Sequence, residues 1–69
     1  MKKLYKRFEE IERLIRRGHI TLSEGNEMMI RAIREEYEAF DFESPEEWDS
    51  NKAYHKMYLI LAKLTRDHF

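Results

Sequence analysis

Gly18-His19-Ile20-Thr21-Leu22-Ser23-Glu24 ends one helix and begins the next, and that reading decides the fold. Glycine stops a helix cheaply because it adopts positive φ without a Cβ penalty. Three residues later Thr21 and Glu24 stand at the spacing of a capping box. The Thr hydroxyl can accept from the Glu amide while the Glu carboxylate reaches back to the Thr amide. A helical hairpin is therefore expected around this turn.

Upstream, Leu4, Phe8, Ile11 and Ile15 recur at helical spacing, with Tyr5 and Leu14 on their flanks. They predict a first helix over 2–17, supported by Glu9/Arg13 and Glu12/Arg16 at i,i+4. Downstream, Leu22, Met29, Ile33, Tyr37 and Phe40 form the apolar stripe of a second helix over 22–40, with Ile30 and Ala32 at its edges. Gly25 in its first turn costs about 1 kcal/mol against Ala, a cost explained if another backbone approaches there.

A third helix is predicted over 45–68. Ser44-Pro45-Glu46-Glu47 offers an N-cap, a proline at the first helical position and a second capping box. Asp49-Ser50-Asn51 are poor helix formers, so a break there with a restart near Lys52 is one alternative. From Ala53 onward, Ala53, Tyr54, Met57, Tyr58, Ile60, Leu61 and Leu64 cover an arc of roughly 200°. That is too wide for one neighbour. Tyr54, Met57, Tyr58, Leu61 and Leu64 are expected to line either the core or an interface between two copies.

The fold class is thus all-α, one domain of three helices: a helical hairpin plus a long C-terminal helix. A compact three-helix bundle and a homodimer both satisfy the pattern. With 69 residues and no Cys, the core is thin and disulfides cannot reinforce it, which favours the homodimer. The longest apolar run, 57–62, is far below the ~20 residues a membrane span needs, and the N-terminus lacks the apolar core of a signal peptide. A soluble, cytoplasmic protein with no membrane contact is expected.

The net charge of −1 conceals a marked asymmetry. Residues 1–17 carry +4, residues 18–49 carry −8 and residues 50–69 carry +3. Within 35–49 stand eight carboxylates, four aromatics and no basic residue. Phe42 and Trp48 fall outside the helical stripes. They are the candidate partner-binding residues, with Asp41, Glu43, Glu46, Glu47 and Asp49: the rings would bury area and the charges would steer approach to a basic protein surface. The opposing possibility is that basic helices 1 and 3 neutralise this stretch within the molecule, with both rings closing the end of the bundle.

The hairpin turn also resembles that of short bacterial helical hairpins that assist oligomerisation, where G-x-I-T-x-x-E recurs. The resemblance covers seven residues and their flanking helices, within 11–33, and departs at Gly25, where those hairpins carry an apolar residue. Capping chemistry alone produces the same pattern, so no family is assigned on it.

Chemistry-bearing constellations are sparse. His19, His55 and His68 are dispersed without metal-ligand spacing. The acidic stretch lacks the D-x-D-x-D-G order and central glycine of a calcium loop. A thin helical core leaves little room to desolvate a catalytic carboxylate. No enzyme activity, cofactor or metal is expected. Helix 1 could touch nucleic acid through Lys2, Lys6, Arg13, Arg16 and Arg17, although Glu9 and Glu10 interrupt that arc. The expected function is a small non-enzymatic module that binds and modulates or inhibits another protein, as acid-rich phage and mobile-element inhibitors do. A nucleic-acid-binding or transcription-regulating dimer using helix 1 is the alternative, and a structural oligomerisation module the third.

Overall fold

The computed structural model describes residues 2–39 and 48–68. It is all-α: α1 spans Lys2–Arg16, α2 Leu22–Ala39 and α3 Ser50–His68. The three pack mutually, α1 and α3 running the same way and α2 opposite. Arg7 near the start of α1 bonds Glu35 and Glu36 near the end of α2, while Arg16 at the end of α1 reaches Asp67 at the end of α3.

The hairpin turn forms as its sequence dictates. Gly18 has φ 76°. Its amide donates to the Ile15 carbonyl at 3.0 Å and the His19 amide to the Leu14 carbonyl at 3.0 Å. This pair of bonds is a Schellman motif, satisfying carbonyls the helix leaves open. The reciprocal capping box follows: the Thr21 amide donates to Glu24 Oε1 at 3.1 Å and the Glu24 amide to Thr21 Oγ1 at 3.0 Å.

The expected stripe of α1 is the core. Leu4, Phe8, Ile11 and Ile15 are all buried, and Tyr5 packs against the cluster they form. In α2 the buried set is Gly25, Met29, Ala32 and Ile33. Ala32, placed by periodicity at the edge of the stripe, is fully buried. Tyr37, placed within it, is 47% exposed. The buried face of α2 is therefore rotated away from Tyr37 and toward Gly25 and Ala32. Phe40 lies outside the described residues.

Gly25 has a different reason from the one its position implied. A Cβ there would stand 2.9 Å from Ile15 Cγ1 and 3.5 Å from Ile11 Cγ2. The close neighbour is the Ile15 side chain of α1, seated in the notch that glycine leaves.

The third helix begins later than predicted. Trp48 and Asp49 are not helical, so a helix running unbroken from 45 is corrected. The Asp-Ser-Asn stretch read as a weak point is the helix start. Asp49 is the N-cap: its Oδ1 accepts from the Lys52 amide at 3.1 Å and its carbonyl from the Ala53 amide at 3.1 Å. Asp competes poorly inside a helix because its short carboxylate binds nearby amides, which is the property that suits it to this position. The Ser44 box and Pro45 lie outside the described residues. Within α3, Ala53, Ile60 and Leu64 are buried and Met57 and Leu61 pack partly against them. Tyr54 and Tyr58 are 44% and 66% exposed, so within one chain neither is a core residue.

Candidate functional site

Of the residues singled out for partner binding, Trp48 and Asp49 are described; Asp41, Phe42, Glu43, Glu46 and Glu47 lie outside. Trp48 is half-buried against the core. Its ring meets Tyr37 edge-on, centroids 5.9 Å apart at 69°, in the arrangement aromatic quadrupoles favour. The indole Nε1 donates to Ser50 Oγ at 2.9 Å. The aromatic pair thus ties the end of α2 to the start of α3, and Asp49 beside it caps α3. Both residues have work within the chain, and both retain partial exposure.

The carboxylates upstream divide into two groups. Glu35 and Glu36 are held by Arg7, whose guanidinium bonds Glu35 at 2.8 Å and Glu36 at 3.1 Å. These bonds, that to Glu35 foremost, raise the Arg7 pKa above its ordinary value despite the opposing effect of burial. Arg16 is raised likewise, by its bond to Glu12 first and to Asp67 second. Glu38 faces solvent beside Tyr37. Part of the acidic stretch is therefore neutralised by α1, and Glu38 is not drawn into those ion pairs.

The same pairs bear on α1. Arg7 and Arg16 are committed to carboxylates, whereas Lys2, Lys3, Lys6, Arg13 and Arg17 are exposed together with Glu9 and Glu10. A groove of about 350 Å³ between α1 and α2 has Ile11, Leu14 and Met28 on its floor and charged side chains on its rim. Among the described residues no side chain that is polar or charged is buried, and no group of three or more His, Asp or Glu is placed to hold a metal ion. No described helix is long and apolar enough to cross a membrane.

Residues assigned jointly to core or oligomer separate cleanly. Leu64 is fully buried, Met57 and Leu61 are half-buried, and Tyr54 and Tyr58 face outward. The signal was present in the spacing. Ala53, Met57, Ile60 and Leu64 repeat at intervals of four, three and four, and Tyr54, Tyr58, Leu61 and Thr65 repeat at the same intervals one position later. One wide arc is two adjacent seams: the fold buries the first, and of the second only Leu61 packs partly against the core.

Comparison with known proteins finds no matching family model, no matching curated protein and no matching solved structure. The turn's likeness to bacterial helical hairpins is accounted for by its Schellman motif and capping box.

Proposed function

We propose that this chain is a non-enzymatic interaction module that binds a basic surface of another protein and modulates or blocks it, and that it works as a homodimer. The binding end is where α2 finishes and α3 begins. The observation that carries this reading is the partly exposed Tyr37–Trp48 pair, set beside Glu38 and Asp49 and continuous in sequence with the most acidic part of the chain. A half-buried, geometrically held aromatic pair gives a partner rigid area at small entropic cost, and surrounding carboxylates steer its approach.

The test compares wild type with the double variant Glu46→Lys, Glu47→Lys in affinity capture from the source cell's lysate, read by mass spectrometry. A basic protein retained by wild type, weakened by added salt and lost on charge reversal is the expected result. Equal capture by both overturns the assignment of this end. Trp48→Ala is a poor probe, because the ring also joins α2 to α3.

A second reading, nucleic-acid binding through α1, is favoured by the five exposed basic residues there and opposed by Glu9 and Glu10 in the same arc. Reversing Lys2, Lys6 and Arg13 would abolish the activity in that case and leave it intact in the first.

A further inference from the structure

We propose that the second seam of α3, the exposed Asn51, Tyr54, Tyr58 and Thr65 with the half-buried Leu61, is the interface between two copies of this chain, paired antiparallel about a two-fold axis at Tyr58. The proposal rests on the reading that the chain self-associates and assigns the face.

Four observations support it. First, the spacing of three, four, three and four is the seam of helices that pack side by side, and it lies one position from the seam already packed in the core. Lys56, whose Nζ sits 5.7 Å from the Tyr5 ring centroid, marks the side of α3 turned to α1. At 100° per residue, Tyr54 and Tyr58 point well away from it. Second, the seam is uncharged, although α3 carries Lys52, Lys56, Lys63 and Arg66 against Asp67. Its charges all lie on other faces, so a second copy can approach without setting like charges against each other along the contact.

Third, the polarity of the seam reads nearly the same in both directions. From Tyr58, an apolar or aromatic residue stands four positions before (Tyr54) and three after (Leu61), and a polar one seven before (Asn51) and seven after (Thr65). An isologous contact requires such a strip, because a two-fold axis sets each end against the other. Tyr58 then meets its own copy, Tyr54 meets Leu61, and Asn51 meets Thr65. Fourth, the helix dipoles select the direction. Antiparallel pairing opposes the dipoles of the two α3 helices, whereas parallel pairing aligns them. This interface occupies the length of α3 and leaves the Tyr37–Trp48 end for a different protein.

The test uses the full chain and needs no partner. By light scattering at micromolar concentration, wild type is expected at about twice 8.6 kDa. Tyr58→Lys is expected to raise the dimer dissociation constant about 100-fold or more, since one substitution removes a central anchor from both sides. Circular dichroism of the variant stays helical, because Tyr58 is exposed within the protomer. The absence of Cys allows a direct check of direction. An equimolar mixture of Asn51→Cys and Thr65→Cys chains treated with a short bis-maleimide is expected to cross-link 51 to 65, and Asn51→Cys alone to remain uncoupled. A wild-type dimer that survives Tyr58→Lys, or that couples 51 to 51, keeps self-association and overturns this seam. A wild-type monomer overturns self-association and the seam together, while binding at the acidic end is judged by its own capture experiment.

Discussion

The α1–α2 hairpin and α3 are built from similar residues, yet they spend their apolar surface differently. In the hairpin nearly every device closes inward. A Schellman motif and a capping box finish the turn, Arg7 clasps two carboxylates across the helices, and the four large apolar residues of the α1 stripe are all buried. In α3 the buried residues are Ala53, Ile60 and Leu64, while Tyr54, Tyr58 and Leu59 remain at least 44% exposed. A helix that commits half of its apolar arc to its own fold holds the other half available. The lesson is that apolar breadth, more than apolar content, marks the surface on which to look for a partner.

The largest expected effect tests the closed half. Phe8 is fully buried, and Phe8→Ala should cost about 3–5 kcal/mol in a urea melt, a large share of a small domain's stability. Next, α3 should divide along its own axis. Leu64→Ala is expected to cost about 2–5 kcal/mol, and Leu61→Ala clearly less at concentrations where the chain is monomeric, because Leu61 is only partly buried. Equal losses would mean the two seams of α3 are not distinct. Thr21→Ala removes one side of the capping box and should cost about 1 kcal/mol by the same melt. The smallest effect is expected at Arg7→Ala, near 1 kcal/mol or below and shrinking as salt is added, since its carboxylate partners are partly solvated. A salt-independent loss there would show that its alkyl stem matters to packing more than its charge does.

How much of this was legible in the sequence follows from what each signal encodes. The α1 stripe and the hairpin turn could be read directly, because periodicity and capping are local and the structure obeys them residue by residue. α3 starts at Ser50, close to the restart near Lys52 that the Asp49-Ser50-Asn51 stretch allows, because the chemistry that gives Asp49 a low helix propensity also makes it an N-cap. Tyr37 shares the apolar stripe of α2 yet stands exposed, because a stripe says which residues share a face but not where the neighbours end. The same limit merged the two seams of α3 into one arc. At the acidic-aromatic end the sequence supplied the charge and the rings, while their division between internal work and exposure emerged only with Arg7, Ser50 and Tyr37 in place.

The notch at Gly25 has a consequence for how the hairpin can err. Ile15 fits against α2 only where a side chain is missing, and Gly25 is the one glycine in that helix. Sliding α2 along α1 by a turn would drive Thr21 or Met29 against Ile15 in its place. Two smooth amphipathic helices tolerate several sliding positions, and this pair has one register pinned by an absent methyl group. Gly25→Ala therefore sets a gain in helix propensity of about 1 kcal/mol against the displacement of the Ile15 side chain, which must shift to admit a Cβ.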